Sequence, residues 1–336
     1  GTSLEAAVLI GNKIALGQVD SGIAGGVDSI SDAPIVFRDS FRRILLDAHA
    51  ARSMGGRIAP WLRLRPKHFA PQFPAVVEPR TGLSMGQSTE LTAKEWSVTR
   101  EHQDQLAAAS HAKAAAAYDA GWYADLITPF VDVSEDNILR RDTSVEKLAK
   151  LKPVFDPAGG TMTAGNSTPL TDGAAAVLLS SEEWAHSKNI PVQAYLTHTK
   201  SAAVNFIDEE GLLMAPAYAV SEMLKDADLT LQDFDFYEIH EAFAAQTIAT
   251  LKAWQSEEFC RERLGRNAAM GPIDLKRMNV KGGSLAMGHP FAATGARIVA
   301  TMAKLLKEKG SGRGLISICT AGGMGVCAIM EAAPAA

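Results

Sequence analysis

A glycine-rich loop with one histidine is the strongest candidate for chemistry in the sequence. It spans residues 282–290 (GGSLAMGHP) and leads into a helix predicted to begin near Ala292. Glycines allow a backbone to approach a ligand closely, and a helix N-terminus offers unpaired N–H groups. His289 can act near neutral pH as a base or as a hydrogen-bond donor. The alternative is a buried or capping histidine in a tight turn.

A cysteine followed by a glycine turn is the second candidate. Cys319 ends a predicted buried strand and is followed by the sequence TAGGMG. A thiol at the carboxyl end of a strand, beside a flexible turn, is typical of an accessible reactive group. The alternative is a small core residue, because free cysteines are commonly buried and inert. That alternative fits Cys327, which lies in a further apolar run, and Cys260 has no chemical context.

Two shorter segments complete the set. His240 opens the sequence HEAF, where an apolar segment meets a predicted helix, so it can hold a water or donate to a developing oxyanion. Glu241 beside it is equally well explained as a charge at a helix N-terminus. Residues 163–168 (TAGNST) form a polar turn before a strand and are unremarkable alone.

Periodicity and turn residues place these segments on alternating helices and strands, typical of an α/β protein. The predicted helices cover about 3–17, 92–121 (with Thr92 as its cap), 217–226, 241–254 and Gly295–Lys309. The predicted strands cover 22–28, expected to be buried, Ala174–Ser180 and Gly314–Cys319. A helix followed by a strand near each end of the chain suggests two related halves. Residues 34–83 are rich in proline and arginine and have irregular periodicity.

Composition limits the function classes. The net charge of −5 over 336 residues does not favour a nucleic-acid partner. Three cysteines are too few for a disulfide framework, and neither a signal sequence nor an apolar stretch of spanning length is present. We therefore expect a reduced, cytoplasmic protein. The sequence also lacks metal-binding spacings, a dinucleotide fingerprint and a GxSxG motif.

Taken together and in this order, the four segments resemble the thiolase family. The likeness also includes residues 25–29 (GGVDS), 32–34 (DAP) and 100–104 on the alanine-rich helix, and extends over essentially the whole chain. Many thiolases have asparagine where this chain has His240. The HEAF sequence resembles the fatty-acid β-oxidation subclass, which includes the β subunits of trifunctional complexes.

The resemblance implies an α/β fold of two βαβαβαββ halves, layered α-β-α-β-α, with an inserted loop domain. Residues 1–33 and 157–182 would be the remnant of an N-terminal half that is truncated at its start. Residues 34–156 would be the loop domain, and 183–336 the C-terminal half. We expect the remnant to expose apolar surface and sheet edges.

The resemblance also implies catalytic roles. His289 would activate a nucleophilic cysteine, Cys319 would be the second acid/base, and His240 would hold a water in an oxyanion hole. The backbone N–H of Ala321 would contribute to a second hole, where the family has glycine. No cofactor is implied, because coenzyme A and acyl-CoA are the substrates.

The residues implied to bind substrate lie in several segments. Met85 and Gly86 match a loop over the acyl pocket, and Ser167 and Thr168 match residues that contact the pantetheine. Phe243 and Gly288 are further candidates, from the HEAF sequence and the glycine-rich loop. Ser84 stands where some thiolases have histidine, so a short-chain preference does not follow.

The position of the nucleophile is the main departure from the family pattern. The first residues, GTSLEA, would directly follow the nucleophilic cysteine, at the N-terminus of the first helix. That cysteine is not in the sequence, so we expect a truncated chain that is inactive alone. The expected reaction of the intact enzyme is cleavage of 3-ketoacyl-CoA in β-oxidation. The alternatives are biosynthetic formation of acetoacetyl-CoA and an inactive acyl-CoA-binding or scaffold protein.

A basic stretch is a candidate for binding partners. Nine Lys or Arg face three Asp or Glu between Arg38 and Arg80. A solvated loop, a site for CoA phosphates and a peripheral membrane or partner-subunit contact over 57–75 all fit it. The resemblance implies a homodimer or tetramer, with a β-oxidation α subunit as a further candidate partner.

Overall fold

The structure is a computed structural model, and it describes residues 1–74, 76–207 and 210–334. Its strands are β1 (Ser21–Asp28), β2 (Val36–Phe37), β3 (Pro71–Gln72), β4 (Gly173–Ser180), β5 (Ala194–Ala203), β6 (Phe236–Ile239), β7 (Arg313–Thr320) and β8 (Met324–Ala332). Its α-helices are α1 (Thr2–Ala15), α2 (Asp39–Ala50), α3 (Met54–Ile58), α4 (Met85–Glu95), α5 (Arg100–Asp119), α6 (Val145–Leu148), α7 (Glu182–Ser187), α8 (Ala215–Asp226), α9 (Ala244–Gln255), α10 (Glu257–Glu262), α11 (Ser284–Met287) and α12 (Thr294–Lys309). Short 3₁₀ helices cover Ala59–Arg63, Pro66–Phe69, Leu275–Arg277 and Phe291–Ala293.

The larger of two compact units is built on a four-stranded sheet. The unit comprises Gly1–Asp28 and Val77–Ala336, and the strand order of its main sheet is β5-β8-β7-β6. β6 runs parallel to β7, and the other pairs are antiparallel. Because β6 and β7 are parallel, their carboxyl ends lie at the same edge of the sheet. The chain segments that follow these two strands are therefore brought together.

Helices cover both faces of this sheet. Helices α8 and α9 pack on one face through a large apolar core that includes Trp254, Leu315 and Ile329. Helices α1 and α12 pack on the other, where Leu4 and Ile298 meet Ile316. A second sheet, in which β1 and β4 are antiparallel, lies against the opposite side of α1 and α12. The order of layers is therefore β-α-β-α, with α1 and α12 in the middle.

The strand predicted over 22–28 is present as β1, but the prediction that it is buried is wrong. The side chains of Ile23 and Val27 are 72% and 71% exposed. In a strand, successive side chains point to opposite faces. The α1–α12 layer covers one face of the β1–β4 sheet, and the described residues leave these side chains on the other face in solvent.

Two predicted helices are placed differently in the structure. The helix predicted over 92–121 is two helices, α4 and α5, separated at Ser97, where φ is 48°. Thr99, not Thr92, caps α5, and its hydroxyl accepts from the His102 N–H. The helix predicted from residue 241 begins at Ala244, because Phe243 is extended and forms a β-bridge with Ser167.

The smaller unit, Ser29–Val76, is more regular than its composition suggests. Helix α2 buries Phe41, Ile44 and Ala48 at helical spacing, which the surrounding prolines and arginines mask in the sequence. The Phe41 ring lies 5.1 Å from the ring of Phe69. Within the predicted 57–75 contact segment, Phe69 and Phe73 are more than half exposed, and Ala75 lies outside the described residues.

None of the helices in the described ranges combines the length and the apolar character needed to cross a membrane.

Candidate active site

Cys319 lies at the carboxyl end of β7, in a partly apolar cluster. The thiol is buried and donates to Gln246 Oε1 over 3.6 Å, in the first turn of α9. Met85 and Phe243 pack in the same cluster as Cys319. The turn after the strand is possible because Gly322 and Gly323 have φ values of 79° and 73°, in the left-handed region. Ala321 is exposed in this turn.

His289 is held by the glycine-rich loop. Gly288 has a φ of 84°, which only glycine adopts without strain, and it redirects the chain before the histidine. The His289 backbone N–H then donates to Pro169 O over 3.1 Å. In the side chain, Nδ1 lies 2.7 Å from Thr294 Oγ1, at the start of α12. The backbone and the ring are therefore both fixed, and Nε2 is the ring nitrogen left for chemistry.

His240 directly follows β6 and meets His289. The two ring centroids are 4.3 Å apart. Only 1% of His240 is exposed, and its Nδ1 lies 2.9 Å from Ser284 Oγ. Among the described residues, its buried Nε2 has no hydrogen-bond partner. Because the His240 N–H donates to Ser317 O, the residue continues the β6–β7 ladder toward Cys319.

The amino end of α1 lies next to the carboxyl end of β7. An atom at the Cβ position of Gly1 would be 2.3 Å from Thr320 Oγ1, next to Cys319. The backbone nitrogen of Gly1 lies near enough to Cys319, His240 and His289 for a positive charge placed on it to affect the pKa of all three. The Ala296 N–H donates to Ser3 Oγ over 2.8 Å, which ties the start of α1 to α12.

Burial sets the protonation state of the three side chains. It lowers the pKa of His289 to about 3, and lowers the pKa of His240 well below its usual value. It raises the pKa of the Cys319 thiol to about 12. Removal from water disfavours the charged form in each case. Near neutral pH the site therefore presents two neutral imidazoles, able to accept or donate a proton, and one protonated thiol.

The candidate substrate-binding residues lie around these groups. Thr168 donates its hydroxyl to Ser284 O over 2.6 Å, and its N–H donates to Ala242 O. Ser167 pairs with Phe243 through the backbone, as described for the start of α9. Gly86 packs so closely on Phe155 that an added Cβ would lie 2.1 Å from the ring. The chain segments that carry these residues therefore meet at the strand ends. The residues are Met85, Ser167, Thr168 and Phe243.

Several supporting residues were not identified from the sequence. Ser284, Thr294 and Gln246 contact the three titratable groups, and Glu241, left open as a helix charge, is buried. Its carboxylate accepts from Ser110 Oγ over 2.7 Å, from Asn279 Nδ2 over 2.6 Å and from the Leu285 N–H over 3.2 Å. It therefore holds the glycine-rich loop. The hydroxyls close to His289 in sequence offered a signal for Ser284 and Thr294, whereas Gln246 offered none.

Among the described residues, no group of three or more His, Cys, Asp or Glu side chains could hold a metal ion.

Comparison with known proteins defines the class. The family model described as "Thiolase, N-terminal domain" matches residues 1–183, and "Thiolase, C-terminal domain" matches residues 190–332. The chain belongs to the thiolase family, a family of acyltransferases. The predicted thiolase-like α/β fold is confirmed.

Individual relatives sharpen this assignment. A 3-ketoacyl-CoA thiolase of Pectobacterium atrosepticum is 44% identical over 339 residues, which cover 99% of this chain and 77% of the relative. One of Yersinia pestis (strain Pestoides F) is 44% identical over 337 residues, covering 98% and 77%.

Solved structures are also similar. The Bacillus anthracis acetyl-CoA acetyltransferase superposes with a TM-score of 0.78 at 30% identity, covering 98% of this chain and 76% of that one. Human mitochondrial 3-ketoacyl-CoA thiolase in complex with CoA gives a TM-score of 0.78 at 28% identity, covering 99% and 76%.

Proposed function

We propose that the protein is a 3-ketoacyl-CoA thiolase of fatty-acid β-oxidation. It would cleave 3-ketoacyl-CoA with free CoA to give acetyl-CoA and a shortened acyl-CoA. The observation that carries the proposal is the position of Cys319 and His240 at the carboxyl ends of the paired strands β7 and β6, with the His289 ring against His240 and the side chains in complementary protonation states. The identity to 3-ketoacyl-CoA thiolases favours the degradative reaction over acetoacetyl-CoA synthesis.

The first half-reaction breaks the bond between C2 and C3 of the substrate. A cysteine thiolate attacks the C3 carbonyl carbon, and the electron pair of the C2–C3 bond passes to C2. The Cys319 thiol, protonated because its pKa is raised, gives its proton to C2, which releases acetyl-CoA. His240 supports the thioester oxygen of this leaving group, directly or through a water.

The second half-reaction transfers the acyl group from the cysteine to CoA. His289, neutral because its pKa is lowered, accepts the proton of the CoA thiol, and the CoA sulfur attacks the acyl carbon. The bond from that carbon to the cysteine sulfur then breaks, and the cysteine leaves as a thiolate. The proton held by His289 passes to the Cys319 thiolate, which restores both groups for the next cycle. The backbone N–H of Ala321, in the exposed turn after β7, supports the oxyanion formed at that carbon. No bound cofactor takes part.

We place the nucleophile directly before Gly1. The amino end of α1 is buried beside Cys319, His240 and His289, so a side chain one residue earlier would enter the site. Unpaired N–H groups at a helix N-terminus lower the pKa of a thiol. A cysteine there would satisfy the need for two sulfurs, one to carry the acyl group and one to move the proton.

The substrate would be held by the segments around the strand ends. Met85 and Gly86 at the start of α4 would cover the acyl chain, and Ser167, Thr168 and Phe243 would contact the pantetheine. Gly288, whose missing side chain keeps the loop close to Thr171, would allow the thioester to approach His289. CoA is a substrate here, as the human thiolase complex suggests.

The assembly and location stay predictions. We infer a cytoplasmic homodimer or tetramer, with a β-oxidation α subunit as a candidate partner and no nucleic-acid partner. The exposed Ile23 and Val27 on β1 support a further protein contact. The exposed aromatic side chains of 57–75, among arginines, support a peripheral membrane contact. Binding to anionic vesicles that is lost on charge reversal at Arg63, Arg65 and Lys67 would support the latter.

The test is acylation by acetyl-CoA, measured by intact mass. Two forms are compared, one in which cysteine directly precedes Gly1 and one in which alanine does. We expect one acetyl group on the cysteine form, removed by added CoA, and none on the alanine form. Binding of CoA by both forms without acetylation of either would reject the thiolase proposal and favour the acyl-CoA-binding alternative.

A further inference from the structure

The two site histidines are held alike, with one difference. Each ring has a hydroxyl oxygen at Nδ1, Ser284 Oγ for His240 and Thr294 Oγ1 for His289. Ser284 Oγ has a second neighbour, because Arg297 Nη2 donates to it over 3.0 Å. Within the described residues, no cation donates to Thr294 Oγ1.

The hydrogen-bond capacity of Ser284 decides the direction of its contact with His240. A guanidinium only donates, so Arg297 uses a lone pair of Ser284 Oγ. The hydroxyl has one hydrogen left to give. In the described part of the chain, His240 Nδ1 is the one acceptor within hydrogen-bond distance of it. The hydroxyl therefore donates to Nδ1.

The protonation state of the His240 ring follows from this hydrogen bond. Burial, and to a smaller extent nearby positive groups that include Arg297, keep the pKa of His240 low, so the ring is neutral. A neutral imidazole whose Nδ1 accepts carries its proton on Nε2. This nitrogen is buried and has no partner among the described residues, and the ring lies against His289.

We propose that Arg297 is a positioning residue that, through Ser284, fixes His240 as the Nε2–H tautomer. His240 is then always a hydrogen-bond donor toward the substrate oxygen, whereas His289, whose hydroxyl partner is not held by a cation, remains free to take up a proton. This inference rests on the proposed function for its catalytic meaning. The tautomer itself does not depend on turnover.

The experiment is nitrogen NMR of the protein labelled with ¹⁵N-histidine, at neutral pH. The signals of His240 are assigned by their loss in His240→Asn. We expect one protonated Nε2 and one unprotonated Nδ1 in the unmodified protein. In Arg297→Met the two signals should move toward each other, because both tautomers become populated, and Arg297→Lys should restore the separation.

Ser284→Ala is the second variant, because it removes the hydroxyl and keeps the buried cation. It should give the same mixture of tautomers, so the test stands even if Arg297→Met does not fold. A protonated Nδ1 on His240 in the unmodified protein would overturn the proposal, as would an unchanged Nε2–H tautomer in Ser284→Ala. Since these signals need no catalysis, failure of the thiolase assay would leave this result interpretable.

Discussion

Cys319 and Cys327 lie on the same face of one β-hairpin, formed by β7 and β8. Cys327 pairs with Ser317, two residues before Cys319, and alternate residues of a strand share a face. Both thiols are buried, with 6% and 0% of the residue exposed. Burial raises the pKa of both. By burial and pKa alone, the two residues are nearly equivalent.

The residues that surround Cys319 and Cys327 differ. Cys327 lies in the middle of β8, where its sulfur contacts Met223 Sδ and donates to Lys200 O. Cys319 lies at the carboxyl end of β7, one residue before Thr320, which lies against Gly1 at the start of α1. Strand β7 also pairs with β6, and His240 directly follows β6. Position at the strand end, rather than burial, therefore distinguishes a candidate acid from an inert core thiol.

The largest expected difference between the two cysteines is in catalytic activity. Cys319→Ala should lower thiolysis of 3-ketoacyl-CoA by about 10³-fold, because it removes the proton donor to C2. The assay is CoA-dependent loss of the substrate absorbance, in the form with cysteine before Gly1. Cys327→Ala is the matched control and should stay within about twofold. Equal losses in the two variants would mean that Cys319 acts only through packing.

A second test asks whether a buried titratable group that has no proposed catalytic role affects stability instead. Glu238, inside β6, is 2% exposed, and burial raises its pKa to about 8, with Arg297 opposing the shift. The folded protein therefore holds a proton that the unfolded chain loses above its ordinary pKa. Stability should fall as pH rises from about 4.5 to about 8.

Glu238→Gln cannot ionise and should remove this dependence. We expect it to be more stable than the unmodified protein by up to about 4 kcal/mol at pH 8.5, and by much less at pH 5. Urea unfolding at the two pH values measures the difference. Glu222→Gln, at an exposed position of α8, is the control. An equal effect of Glu238→Gln at both pH values would show that the carboxylate is already charged in the folded state.

The contrast between the cysteines also explains what could be predicted from sequence. Cys319 and His289 can be identified because each lies within three residues of a glycine, and a glycine-rich turn after a strand or before a helix is a local signal. The same local signal could also have identified Thr294. Gln246 was not, because it reaches Cys319 only through the packing of α9 on the sheet.

Element boundaries failed where local signals conflicted. The alanine-rich run hid the break at Ser97, and prolines and arginines hid the buried face of α2. The burial of β1 was misjudged for a different reason. Small residues predict close packing, but the layer that covers a sheet is decided by the whole fold.

The smallest effect is expected from substitutions of the side chains that contact the two thiols. Gln246→Leu removes the acceptor of the Cys319 S–H and leaves an apolar side chain of similar size. The proton would lose its fixed direction, so kcat should fall about tenfold, with KM nearly unchanged. Met223→Leu makes the corresponding change beside Cys327 and should leave kcat within about twofold. If both variants behaved alike, the orientation of the Cys319 thiol would have no part in proton transfer. A loss confined to Gln246→Leu would mean that the strand end supplies a directed acid, and that the middle of the same hairpin supplies only packing.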